Sequence, residues 1–143
     1  MNLMGIDVGT SSCRVCVVDE TGALLTLQGQ GYEVKAPGPG LYELDPDEVW
    51  SAVATSIKKA NRSVPAGTVG ALGISAQGEA IMPFDVNGQA LRRSPISADS
   101  RGAEHIRSLA EEMGLSKLHA LTGQLPDPIH SIGKLKWWSE HEP

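Results

Sequence analysis

The chain has 143 residues and a mass of 15.1 kDa, enough for one ordinary domain to bury a sizeable core, which excludes a miniprotein that depends on disulfide or metal staples. Hydrophobic residues make up 41% and charged residues 20%, with a mean hydropathy of -0.14; this is too apolar for disorder, and no uncharged run is long enough to span a membrane. Twelve Lys and Arg stand against 17 Asp and Glu, a net charge of -5. The basic residues are scattered, which argues against phosphate-backbone binding to nucleic acid.

Strand-like residues begin at Leu3, with no basic region and no small-residue cleavage site before them. No signal peptide is expected, and the expected location is the cytoplasm. Leu3–Val8 and Cys13–Val18 form two apolar runs around Gly-Thr-Ser-Ser, a hairpin signal. The turn Asp-Glu-Thr-Gly at 19–22 leads to a third strand predicted within Ala23–Val34, so the chain opens as an antiparallel meander. Cys13 and Cys16 lie three steps apart in the second strand. Extended chain separates such Cα atoms by roughly 10 Å, beyond disulfide reach, and puts the side chains on opposite faces. Ala-Pro-Gly-Pro-Gly at 36–40 is rich in breakers and is predicted to be a surface loop.

Asp45-Pro46-Asp47-Glu48 carries a helix start: a capping Asp, a proline at the first position and a Glu that can reach back. The helix should run to about Asn61, with Val49, Trp50, Val53, Ala54 and Ile57 as its apolar stripe. Val-Gly-Ala-Leu-Gly-Ile-Ser at 69–75 reads as a buried strand, and Ala80–Phe84 with the turn Asp85–Gly88 as a further hairpin closing near Pro95. Beyond Asp99 a helix carries Ile106, Leu109, Ala110 and Met113 and stops at Gly114. A shorter helix follows through Leu118 and Leu121. The last holds Ile129, Ile132, Leu135 and Trp138 on one face, with Trp137 and Trp138 structural. The fold class is α/β: a mixed sheet opened by the meander, with helices packed on it.

The chemistry concentrates at Gly-Ile-Asp-Val-Gly-Thr-Ser-Ser-Cys-Arg, residues 5–14, where a carboxylate ends a buried strand and a glycine turn follows. A tight turn at Gly9 exposes backbone N–H groups, Thr10, Ser11 and Ser12 add hydroxyl donors, and Arg14 supplies positive charge, an arrangement suited to phosphate. Asp7 cannot bind phosphate itself but suits a magnesium ion held through water. The same residues also suit a plain β-turn with a capping Asp. Neither a P-loop nor a dinucleotide fingerprint occurs. His105, His119, His130 and His141 have no metal-like spacing and read as surface or helix residues.

A D-x-G-T turn between two strands of a meander resembles the first phosphate motif of the actin, heat-shock chaperone and sugar-kinase superfamily. The order of features along the whole chain then resembles the start of the FGGY carbohydrate kinases: G-I-D-V-G-T-S-S, D-E-T-G, G-L-Y-E-L-D-P-D-E-V-W, G-I-S-A-Q-G-E-A, D-V-N-G-Q-A-L-R-R, D-S-R-G, then T-G and K-L-K-W-W. The resemblance implies a ribonuclease H-like, actin-like ATPase lobe. It places Asp7, Gly9, Thr10, Ser11, Ser12 and Arg14 on the turn that handles ATP phosphates and Mg²⁺, with Asp7 as the metal residue. It puts Gln77 and Glu79 on the substrate loop, where the Gln-x-Glu form is similar to that of glycerol kinases; many xylulokinases carry Met-His at the positions of Gly78 and Glu79. The family's W-x-D-x-R pattern stands here as Ser97-Ala98-Asp99-Ser100-Arg101, without the aromatic wall. Asp99 and Arg101 either line the sugar cleft or brace it through an ion pair.

The resemblance covers only the opening part of the family pattern. It implies that residues 1–143 are the N-terminal portion of domain I of a kinase that phosphorylates a sugar or polyol, with the general-base Asp and the nucleotide-binding domain II beyond the chain end, and that the fragment alone is inactive. The implied partners are the small-molecule substrate, neither nucleic acid nor membrane, and a homodimer as an open option for the full-length enzyme. Two other readings stand beside it: a non-catalytic sugar-binding or regulatory module derived from this lobe, and an actin-like ATPase.

Overall fold

A computed structural model describes residues 1–142. Where length alone suggests one domain, the chain resolves into two compact units: Met1–Val34 with Leu44–Gln77, and Lys35–Glu43 with the chain from Gly78 onward.

In the first unit, alternation in the first two runs produces β1 (Asn2–Val8) and β2 (Ser12–Val18), paired antiparallel with Met4 opposite Val17, Ile6 opposite Val15 and Val8 opposite Cys13. These residues share one face. Met4, Ile6, Cys13, Val15 and Val17 are buried there, under α1 (Pro46–Arg62), whose Ser56 Oγ lies 3.5 Å from Cys13 Sγ. Both cysteines are free, on opposite faces as expected. The third strand, β3 (Leu24–Gly31), is shorter than predicted. It stops because Tyr32 buries its ring and turns its N–H to Ser11 O at 3.0 Å.

Asp45 Oδ1 caps α1 by accepting from the N–H groups of Asp47 (3.0 Å) and Glu48 (3.3 Å), and Pro46 is the first helical residue. Glu48, expected to reach back to the cap, accepts the Glu33 N–H at 3.1 Å. The buried face of α1 is Val49, Ala52, Val53, Ser56 and Ala60, and Trp50 is 68% exposed. Small residues let the helix lie close on the sheet, and position 50 falls about 100° round the axis from position 49.

β6 (Val69–Ala76) pairs parallel with β1 and completes a mixed sheet of order β3-β2-β1-β6. The strand exists where predicted, yet it is not buried: Leu72 is 60% and Ile74 67% exposed. It is the outer strand of this sheet, and α1 packs over β2 and β3 instead.

In the second unit, the predicted loop at 36–40 is structured. β4 (Lys35–Gly38) pairs with β5 (Leu41–Leu44), and the sheet runs β4-β5-β7, with β7 being Ser94–Pro95. Pro37 is tolerated because β4 is an edge strand. The hairpin predicted around Asp85–Gly88 shrinks to one bridge, Phe84 to Ala90, with Asp85 Oδ1 accepting from the N–H groups of Asn87 and Gln89, each at 2.8 Å. α2 (Ala103–Met113) buries Ile106 and Ala110 and ends at Gly114, φ +81°. α3 (Leu115–Thr122) buries Leu118.

α4 (Ser131–His141) departs from its predicted stripe. Ile132 and Leu135 are exposed, while Gly133, Lys134 and Trp138 are buried. The cause is backbone contact between helices: a Cβ on Gly102 would sit 2.5 Å from the Gly133 carbonyl carbon, so Gly133 faces inward and its neighbour Lys134 follows.

Candidate functional site

The turn joining β1 to β2 is held by bonds to its carbonyls. Gly9 N–H donates to Ser12 O at 3.0 Å, Gln77 N–H to Val8 O at 2.9 Å, and Tyr32 N–H to Ser11 O at 3.0 Å. Gly9 O accepts from Tyr32 Oη at 2.5 Å and Gln77 Nε2 at 3.3 Å. Every carbonyl from Val8 to Ser12 except that of Thr10 is therefore engaged by the protein. The N–H groups of Thr10 and Ser11 make no hydrogen bond among the described residues. The turn thus leaves donors free while its acceptors, the Thr10 carbonyl excepted, are satisfied, which is the polarity an anion requires.

Thr10 and Ser11 are exposed, and Ser12 is half-buried. Asp7 and Arg14 face each other across the ladder, both exposed, and the Asp7 carboxylate has no hydrogen bond or ion pair among the described residues. Both line an open groove of about 420 Å³ with Gly5, Cys16, Gly73 and Ser75. Gln77 Oε1 is buried without a partner beside the turn. Tyr32 was not singled out from the sequence, where only an aromatic residue ending a strand marks it. Burial foremost, with the nearby Cys13 and Asp7, pushes its phenol up to about 12, so it remains a donor.

In the second unit Glu79 has φ +60°, the one described residue other than glycine with positive φ. Its Oε2 accepts from Ser131 N–H at 2.6 Å and Ser131 Oγ at 2.7 Å, at the start of α4. Its Oε1 lies 3.8 Å from His130 Nδ1. The Ser131 hydroxyl foremost, then the Ser131 N–H, hold this carboxyl below its ordinary value. The Lys134 ammonium donates to Glu79 O (3.1 Å), Ile96 O (2.8 Å) and Ile129 O (3.0 Å). Burial pushes Lys134 down, against the raising effect of Asp99 and Glu79.

Asp99 is 0% exposed. Its Oδ1 accepts from Arg101 N–H (3.0 Å) and Nε (2.9 Å), and its Oδ2 from Arg101 Nη2 (2.9 Å) and Tyr42 N–H (2.8 Å). Arg101 Nη2 also donates to Glu43 Oε1 at 2.6 Å. The ion pair that a bracing role requires is present, with both partners buried. Burial alone would lower Arg101, but its bonds to Asp99 and Glu43 outweigh that and raise it.

The histidines need one correction. His105, Glu140 and His141 bring a ligand atom each within 4.8 Å of one another, a grouping that spacing in the sequence conceals because it joins α2 to α4. Glu140 is there paired with Lys136 at 2.8 Å and with His105 at 3.6 Å. His141 stacks on Trp137, ring centroids 4.6 Å apart, and Arg101 lies 5.0 Å over the same indole.

The fold is matched, with a TM-score of 0.94, in a xylulose kinase from Rhodospirillum rubrum at 23% identity, over 100% of this chain and 30% of that one. A glycerol kinase from Plasmodium falciparum solved with ADP matches at 0.90 and 23% identity, over 99% and 29%. These likenesses show the fold: an α/β lobe shared with those two kinases. The model of the FGGY family of carbohydrate kinases, N-terminal domain, matches residues 2–143, and the chain belongs to that family. Among curated relatives, a glycerol kinase of Cereibacter sphaeroides is 32% identical over 142 residues, and a probable L-xylulose kinase of Haemophilus influenzae 31% over 142. Each match covers 98% of this chain and 29% of the relative, so the chain spans under a third of their length. No helix of the described residues is long and apolar enough to cross a membrane.

Proposed function

We propose that residues 1–143 are the opening part of domain I of a longer, cytoplasmic, ATP-dependent kinase that transfers the γ-phosphoryl group to a hydroxyl of a small sugar or polyol. The supporting observation is the polarity of the β1–β2 turn: the N–H groups of Thr10 and Ser11 are left unbonded among the described residues, while its carbonyls, that of Thr10 excepted, accept from Tyr32, Gln77 and the Gly9 N–H.

In this reading the N–H groups of Thr10 and Ser11 and the hydroxyls of Thr10, Ser11 and Ser12 bind phosphate oxygens beside Gly9, and Arg14 adds positive charge. The unpartnered oxygens of Asp7 fit Mg²⁺ held through water, since that ion takes hard oxygen donors and keeps much of its hydration shell. Such an ion supplies charge neutralisation at the transferring group. Gln77, bonded to Gly9 O, sets the turn's shape and offers Oε1 to a ligand. Glu79 accepts a substrate hydroxyl through Oε1, while the Asp99–Arg101 pair braces its own loop. Transfer breaks the bond between the γ-phosphorus and the bridging oxygen of ATP and forms one to the acceptor oxygen. The acceptor's proton goes to a base elsewhere in the longer protein. Positioning and charge neutralisation carry most of such a reaction.

The test is ATP-dependent phosphorylation by the full-length protein across a panel of ketoses and polyols. Asp7→Ala should lose at least about 100-fold in kcat/KM, while Cys13→Ser retains activity; equal activity in both overturns the assignment of the turn. ATP hydrolysis indifferent to every sugar would point to an actin-like ATPase instead, and sugar binding without turnover to a non-catalytic module.

A further inference from the structure

Lys134 is the largest fully buried side chain among the described residues, and no role for it follows from the phosphate turn. Its three N–H donors meet three main-chain carbonyls, of Glu79, Ile96 and Ile129. An ammonium has three hydrogens and no acceptor, so this set satisfies it completely. The three acceptors lie on three separate segments: the loop after β6, the stretch leading to Asp99, and the loop before α4. Ile96 O also accepts the Asp99 N–H at 3.0 Å, so the same carbonyl ties Lys134 to the loop of the buried ion pair.

Burying a cation in contact with carbonyls rather than a carboxylate is a poor route to stability, since an apolar side chain of the same length fills that space without desolvation. The geometry at Glu79 indicates what the cation does. Positive φ at a residue with a Cβ is strained and persists only when the surroundings over-determine it. At Glu79 they do so from both ends: Lys134 holds its carbonyl, and Ser131, three residues earlier on α4, holds its Oε2. The first turn of α4 thus grips the main chain and one carboxylate oxygen of Glu79, leaving Oε1, 3.8 Å from His130 Nδ1, outside that grip.

We infer that Lys134 is a positioning residue for the acceptor pocket, fixing the backbone of Glu79 so that its carboxylate meets the sugar hydroxyl at a set angle. This rests on the reading of Glu79 as a ligand of the acceptor. Lys134 itself touches no substrate.

In the full-length kinase, Lys134→Met should raise the KM for the acceptor at least about tenfold, because small misplacements of a positioning group are costly, and leave the KM for ATP within about twofold. A merely structural role predicts a lower Tm with the acceptor KM unchanged, or both KM values rising together, and either result overturns the inference. If the Met variant does not fold, Lys134→Gln, which keeps two N–H donors, is measured the same way, with an acceptor KM raised about threefold expected. Amide hydrogen exchange on the full-length protein supplies a second readout that needs no turnover. Loss of protection confined to residues 78–80, 96–99 and 129–132, with β1 and β2 unchanged, supports the clamp; uniform loss, or none, overturns it. Absence of sugar phosphorylation by the unsubstituted enzyme would instead sink the kinase reading, and the exchange pattern would still decide the clamp.

Discussion

The two units of this chain are held by different physics. The first is a helix laid on a sheet, with Met4, Ile6, Val15 and Val17 buried on the sheet, Val49, Ala52 and Val53 buried on the helix, and Ser56 and Cys13 as near-neutral polar neighbours. The second has short strands and three helices, and its fully buried groups include Asp99, Lys134 and Ser94 beside a nearly buried Arg101. Apolar burial stabilises in proportion to area and is insensitive to direction. Buried ions stabilise only when every donor and acceptor is matched, and removing one partner strands the other. The first unit should therefore tolerate substitutions by degrees, and the second should fail by whole networks.

The largest expected effect is at Arg101. Arg101→Met leaves Asp99 buried with one N–H from Arg101 and one from Tyr42, and should cost about 3–5 kcal/mol in chemical denaturation. A cost below about 1 kcal/mol would mean that the network is not what holds the second unit. In the first unit, Leu44→Ala removes a fully buried side chain and should cost about 2–5 kcal/mol. That cost should be the same at low and high salt, whereas a strong salt dependence would erase the contrast drawn above.

The smallest effect is at Glu79 and concerns acid. Its folded carboxyl lies below the ordinary value of 4.5, so its contribution to stability is complete above that pH and is lost as pH falls through the depressed value. Glu79→Gln should lower stability modestly at neutral pH and flatten the loss below pH 4.5, so that the two proteins converge in acid. An unchanged acid limb would show that Ser131 does not hold the ionised carboxylate in solution.

This contrast also explains what was legible in the sequence. β1, β2 and α1 were readable because alternation, helical spacing and the Asp45-Pro46 start all follow from local rules. The turn at 9–12 was readable because a glycine and three small polar residues stand between two apolar runs. The stripe on α1 was misplaced at Trp50 because hydrophobicity does not report how closely a helix must approach a sheet, which here favoured Ala52 and Ser56. The exposure of β6 was hidden because an apolar strand reads alike at the centre and the rim. Lys134 was invisible for a deeper reason. Its burial depends on carbonyls 38 and 55 residues away, and no local rule predicts a lysine inside. Tyr32 escaped notice likewise, since it acts through two hydrogen bonds to residues more than 20 positions away, Gly9 and Ser11.

Cys16 is the thiol that lies along the groove beside Asp7 and Arg14, while Cys13 is sealed beneath α1. A thiol-reactive fluorophore would thus mark one position only, within the wall where metal and phosphate are proposed to sit. The domain therefore carries its own native attachment point for an optical sensor of ligand occupancy, with no engineered cysteine needed.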